Sequence, residues 1–314
     1  MIRRLLLFSA GLLVACFSLV AAGEELTQPF VGVNVIHRTA SEPRPLDMHI
    51  VKIDLTTPGL RFKLTPRAAS STRETVRQTT LDFLQSERAQ LAVNAHFFVP
   101  YPSEEKDSDL VGLAAAEGNV YSAFEQPAQD YALVPFAPAL NIDRENRAQL
   151  VHHDAAVAGN RGVQERVTLW NALSGSAQVI TSGAVTVPDY RDPARPLALL
   201  NPGGPGGYGN AKSWYDVPNA RTLIGIDREG RTLFLFVVDR SASGGGMKVS
   251  EAAELLVRDY AVHDALNLDG GGSTTLAMED PATHQPRLLN KPSQGPRAVA
   301  SSLAVFAPAA PALQ

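Results

Sequence analysis

Short apolar runs broken by turn residues dominate the chain, and only two stretches carry a helical period. Phe30 to Ile36 and Met48 to Leu55 alternate apolar and polar side chains, as half-buried strands do. Leu60 to Leu64 follows as a third strand after Thr57-Pro58-Gly59. A helix is predicted from Ser71, with Glu74 three residues on as a capping box, running to Ser86 with Val76, Thr80, Phe83 and Leu84 on one face. Leu91 to Asn94 reads as a strand entering His96-Phe97-Phe98, and Ser103 to Asp109 as an exposed charged loop. Val111 to Ala116 and Asn119 to Ala123 form a hairpin around Glu117-Gly118; residues 125 to 165 show weak periodicity.

Thr168 to Leu173 and Gln178 to Thr181 read as further strands. The strand Leu197 to Leu200 opens onto Asn201 to Gly209. Gly204, Gly206 and Gly209 there match a dinucleotide fingerprint, yet no helical period follows, so a rim loop carrying Tyr208 and Trp214 is the better reading. The clearest hairpin joins Arg221 to Ile226 with Thr232 to Val238. A second helix starts at Ser250 as N-cap and buries Ala252, Leu255, Leu256 and Tyr260. It leads to the strand Ala265 to Leu268, and Val299 to Phe306 supplies the last strand. Strands outnumbering helices indicate an α+β fold, a single domain on a mixed, largely antiparallel β-sheet with a few inserted helices.

Three consecutive glycines, Gly270, Gly271 and Gly272, stand between the carboxylate of Asp269 and the hydroxyls of Ser273, Thr274 and Thr275. Ordering them is entropically costly, and both flanks read as buried strand, which a flexible linker would not show. Such a loop lets backbone N–H groups approach a ligand closely. A serine nucleophile at Ser273 fits poorly, because Thr275 stands where a nucleophile elbow has its second glycine.

Asp239 and Asp269 each end an apolar strand, so they are candidates for the carboxylate pair that glycoside hydrolysis uses. Turn capping is the competing reading of both. Glu251 opens the second helix, where it could equally complement the helix dipole. Arg221 and Arg297 are candidate clamps for a phosphodiester. Asn94 offers a donor and an acceptor to a sugar hydroxyl. His152-His153-Asp154 lacks metal-ligand spacing, so no metal and no cofactor is assigned.

Export is expected from the first residues. Arg3 and Arg4 precede an apolar core from Leu5 to Val20, and Val20-Ala21-Ala22 resembles a cleavage site. Residues 1–22 are therefore read as a signal peptide and 23–314 as the domain, placing the protein in a periplasm or the medium. The core is shorter than the ~20 residues of a span. Leu13-Val14-Ala15-Cys16 also resembles a lipoprotein box, ranked below cleavage. Cys16 is the sole cysteine, which excludes disulfides and thiolate chemistry from the processed chain. A formal net charge of −4 without a basic block argues against nucleic acid as a partner; a small-molecule or glycan substrate remains, and the oligomeric state is open.

Asn267 to Thr275 resembles the signature of the phosphodiester glycosidase family. Arg221-Thr222-Leu223-Ile224-Gly225, Val238-Asp239-Arg240, Gly246-Met247, Asn290-Lys291-Pro292-Ser293 and Arg297 follow that family's motifs in order, as do Asn94 and Phe97-Phe98 earlier. The resemblance implies a hydrolase acting on a sugar-1-phosphodiester or a related glycosidic linkage. It implies Asp269, Asp239 and Glu251 as catalytic candidates. It places Asn94, His96, Arg221, Arg240, Gly270, Gly271, Gly272, Ser273, Thr274, Asn290 and Arg297 at the substrate. His96 stands where the family has glycine, a bulky titratable ring expected to narrow or re-equip the pocket. Ser176-Ala177 replaces a Gly-Pro, and Asp239-Arg240 lacks an intervening glycine. These departures leave open a non-catalytic polysaccharide-binding or envelope-assembly role.

Overall fold

The computed structural model describes residues 23–125, 134, 136–188, 215, 217–240 and 245–310. The signal-like segment, the Leu197 to Leu200 strand, the 201–209 loop with Tyr208, and Trp214 lie outside them.

Arg221–Ile226 and Thr232–Val238 pair antiparallel from Arg221↔Val238 to Ile226↔Leu233, as their sequence suggests. They lie at the centre of an eight-stranded sheet. Leu46–Asp54, Val33–Ala40 and Gly23–Phe30 extend it on one side, and Asp264–Asn267, Ala177–Thr181 and Ala184–Val185 on the other. Successive residues of the central strand enter opposite cores, Leu233, Leu235 and Val237 in one, Phe234, Phe236 and Val238 in the other. A sheet covered on both faces needs apolar residues at every position, which is why this run does not alternate.

Helix α2, Val249–Tyr260, covers one face through Val249, Ala252, Ala253, Leu255 and Leu256, packed with Met48, Ile50 and Leu223. Two five-stranded sheets cover the other. One contains Leu91–Asn94 between Leu276–Glu279 and Ser302–Phe306; the second contains Asn171–Ser174 between Ala114–Ala116 and Ala139–Ile142. Helix α1, Thr80–Glu87, closes the outside of the first, with Phe83 and Leu84 against Ala92, Ala277 and Ala304. Each such side chain contributes roughly 1.5–3 kcal/mol by leaving water. Every strand ladder among the described residues is antiparallel. The α+β class expected from the sequence therefore holds.

Several boundaries differ from expectation for local reasons. The first helix starts at Thr80, not Ser71: Ser71 Oγ donates to Thr75 O, and Glu74 accepts from Leu110 N, so neither caps a helix. Thr79 is the cap, accepting from Asp82 N at 3.0 Å. The second helix is capped at Lys248, whose N–H donates to Glu251 at 2.8 Å, leaving Ser250 inside it. Phe30 to Ile36 is two strands turned at Gly32, where φ is +72°. The end of the supposed charged loop, Asp107 to Asp109, belongs to the strand Asp107–Leu110, which pairs with Thr75–Val76.

Candidate active site

The glycine loop leaves the end of the Asp264–Asn267 strand and is pinned by three backbone bonds. Leu268 N donates to Thr222 O, Asp269 N to Ala95 O and Gly271 N to Ala220 O, all within 2.8–3.0 Å. Asn94 ties it from beneath: its Nδ2 donates to Asp269 O at 2.6 Å, while its Oδ1 accepts from Thr222 Oγ1 at 2.9 Å and Thr275 N at 3.0 Å. Each glycine answers a separate demand. A Cβ on Gly270 would lie 2.9 Å from Ala220 O, Gly271 has φ +59°, and a Cβ on Gly272 would lie 2.3 Å from the Arg297 guanidinium. Backbone contact at Gly270 and the positive φ at Gly271 favour glycine outright, whereas at Gly272 the neighbour is the end of a flexible side chain.

A cavity of about 350 Å³ opens over this loop. Asp269, Gly270, Gly271 and Gly272 form its floor side, with Arg240, Arg297, Ser293 and Gln294 around them and Phe97, Phe98 and Tyr101 as an apolar wall. The wall is rigid. Phe98 and Tyr101 meet edge to face at 5.9 Å, and Arg77 lies over Phe98 at 4.8 Å while donating to Ser103 O. The Arg297 guanidinium sits 5.1 Å from the Tyr101 ring centre and 3.5 Å from Ser273 Oγ.

Asp269 is 9 % exposed. Burial disfavours its charged form and pushes the carboxyl up to about 7, against the opposing pulls of the Ser273 hydroxyl, the Arg297 charge and the Gly270 N–H. A carboxyl balanced near neutrality beside Arg297, in a cavity that Arg240 also lines, suits proton transfer next to an anionic substrate group.

Of the residues nominated from the sequence, the structure brings Asp269, Arg240, Gly270, Gly271, Gly272 and Arg297 to the cavity wall. Ser273 and Thr274 are buried directly behind it. The others serve the frame. Arg221 is 2 % exposed and donates from Nε to Met247 O at 2.9 Å and from Nη2 to Val217 O, so it holds backbone where a phosphate clamp was expected. Asp239 is not on the wall: its oxygens accept from Asn290 Nδ2 at 2.8 Å and Lys291 N at 2.7 Å, and Asn290 Nδ2 also bonds Thr274 O. Glu251 pairs with Arg44 and caps α2. Asn94 and Asn290 are spent on the loop.

His96 does not narrow the cavity as expected. Its ring is buried behind it, with Nδ1 3.0 Å from Ser301 Oγ and Nε2 3.0 Å from both Leu113 O and Ser174 N. Burial holds it down to about 4, hence neutral. Ser176 is likewise internal, accepting from Tyr215 Oη at 2.6 Å and Asn267 Nδ2 at 2.9 Å.

The aromatic wall was the part sequence reasoning undervalued. Tyr101 stands between Pro100 and Pro102, and an aromatic ring held by two prolines in a polar stretch was the available signal. Asn219, Val111 and Gln294 carry no such mark.

Comparison with known proteins bears on the family and the fold. The sequence profile described as phosphodiester glycosidase matches residues 87–306. The N-acetylglucosamine-1-phosphodiester alpha-N-acetylglucosaminidases of Mus musculus and Homo sapiens are 43% and 41% identical over 70 residues. Those stretches are 22% of this chain and 13% of either relative, so the chain matches about an eighth of their length. The fold is similar to the zebrafish catalytic domain of that name, auto-inhibited by its pro-peptide. The TM-score is 0.59 at 17% identity, over 91% of this chain and 88% of that one. A hypothetical protein from Synechocystis gives 0.59 at 16%, over 92% and 64%.

Proposed function

This chain belongs to the phosphodiester glycosidase family, and on that premise we propose that it is an exported hydrolase cleaving the glycosidic C–O bond of a sugar-1-phosphodiester. The observation that carries the reading is the cavity itself: a carboxyl near pKa 7 shares its lining with Arg240, Arg297 and an aromatic wall. The arginines hold the phosphodiester anion and stabilise the charge that collects on phosphate as the bond breaks. The apolar face of the sugar rests on Phe97, Phe98 and Tyr101. N–H groups of the glycine loop are available to oxygens of either half.

Phosphate is a good leaving group, so the departing oxygen needs little protonation. Asp269 in its ionised fraction therefore takes a proton from the attacking water. The water oxygen bonds to C1, the C1–O bond breaks, and its electron pair remains on the phosphate oxygen held by the arginines. The N-terminal pattern supports action outside the cytoplasm, and no helix of the described residues is long and apolar enough to cross a membrane.

One observation favours a second reading. Asp269 is the sole carboxylate lining the cavity among the described residues, whereas glycosidases commonly use two, which keeps a non-catalytic glycan-binding protein in view. Release of sugar from a panel of sugar-1-phosphodiesters and nitrophenyl glycosides separates the two. Turnover on the phosphodiesters that is lost in Asp269→Asn supports the hydrolase. Saturable binding of the same compounds without turnover overturns it.

A further inference from the structure

A second polar cluster lies on the eight-stranded sheet, on Val33–Ala40 and Leu46–Asp54, the latter paired with the strand that runs into Asp239. His37 and His49 are direct cross-strand partners, and Asp47 sits two residues from His49 on the same face. Val35 and Val51 neighbour them on that face of their own strands, Val237 is the cross-strand partner of His49, and all three belong to the core between the sheets. The cluster is thus the point where apolar rows end and polar groups begin. The two imidazole rings stack at 4.6 Å, nearly parallel, and His37 Nε2 is 2.7 Å from Asp47 Oδ1.

One ligand atom from each of His37, Asp47 and His49 falls within 4.8 Å of the others. His49 is 7 % exposed, and its Nδ1 is buried without any hydrogen-bond partner. A buried ring nitrogen left unpaired costs about 1–3 kcal/mol, so it calls for an explanation. Burial also holds His49 down to about 4, which keeps a lone pair on the ring at neutral pH. His37 and Asp47 are each more than 30 % exposed at their side chains, so the cluster opens to solvent on one side.

We propose that His37, His49 and Asp47 form a binding site for a divalent transition-metal ion of the zinc class. Two imidazoles and one carboxylate are a recurrent donor set for such ions, leaving one position for water. The ion would satisfy the orphaned His49 nitrogen and offset the mutual repulsion of Asp47 and Asp239, neighbours linked by Asp239 N donating to Asp47 O at 2.9 Å. Lys291 and Arg287 bring positive charge toward His49 and oppose a cation there. The site is separate from the glycosidase reading, since none of its three residues lines the cavity. Its connection runs through Asp47 and Asp239 to Arg240, which does line it.

The test is calorimetric titration of the chelator-stripped full chain with Zn²⁺, paired with the visible absorption of the Co²⁺ form. One equivalent should bind. Because changes even to residues behind a metal's ligands cost 10–100-fold, loss of a ligand in His37→Ala or His49→Ala should weaken binding by at least about a hundredfold. His284→Ala, altering an exposed histidine elsewhere, should change nothing. Should buried His49→Ala fail to fold, the more exposed His37→Ala and Asp47→Asn give the same answer. Stoichiometric Zn²⁺ binding that survives in His37→Ala, or no binding by the wild-type chain, overturns the proposal.

Discussion

Replacing Asp269 by Asn separates what this carboxyl does for stability from what it does for chemistry. In the folded chain its pKa is about 7 against an ordinary 3.8. Below about pH 4 the carboxyl is protonated whether the chain is folded or not, and nothing is lost. Between these values the unfolded chain releases the proton while the folded chain retains it, so stability falls as pH rises. Above about 7 the full penalty applies, about 4 kcal/mol at ~1.36 kcal/mol per pH unit of separation.

Asn carries no such penalty. It gives back part of the gain, because its single oxygen replaces two as acceptor for the Gly270 N–H and Ser273 hydroxyl. A net stabilisation of about 1–3 kcal/mol at pH 8 is expected. In a chain of this size that raises Tm by roughly 2–8 °C, shrinking toward zero near pH 4. Thermal melts of both proteins from pH 4 to 8 measure it. The same variant should lose at least about a hundredfold in kcat, the lower range of general acid–base assistance. The wild-type rate should climb with pH through an apparent pKa near 7, since the base form is the active one. A Tm difference that does not vary with pH would refute the raised pKa. An Asn variant within a few-fold of wild-type kcat would refute the base. A rate falling through pH 7 would make Asp269 an acid instead.

Two further substitutions test the division between wall and frame. Arg297→Ala should lower kcat/KM on phosphodiesters by about 10–100-fold with little change in Tm, because the side chain lies on Gly272 and Tyr101 at a half-buried surface; steady-state kinetics on charged and neutral glycosides should confine the loss to the charged ones. Asp239→Asn should do the reverse, lowering Tm while kcat changes less than about tenfold, because both its oxygens accept from Asn290 and Lys291. A kcat loss matching that of Asp269→Asn would restore Asp239 to the reaction.

Much of this protein is legible without coordinates, and the legible part is local. The Arg221 to Val238 hairpin follows from two apolar runs either side of Asp227-Arg228-Glu229-Gly230, since turn chemistry and register act over neighbouring residues. The glycine loop announces itself because three ordered glycines are costly unless the backbone needs them, as it does where Gly270 passes close to the Ala220 carbonyl and Gly271 takes a positive φ. The order of the family motifs marks the region as functional. Tertiary structure alone decided which polar motif residues meet substrate space. Asn94, Arg221, Asp239 and Arg297 look alike in sequence, each a polar group beside a strand end or turn. The strands that carry the first three enter a sheet stack covered on both faces, where loop backbone N–H and C=O groups must find partners away from water, and those side chains supply them. Arg297 lies on the loop just before the short Ala298–Val299 strand and lines the cavity. Burying a polar group against backbone and exposing it to a ligand draw on the same residue types, and the choice between them depends on what other strands bring within about 3 Å.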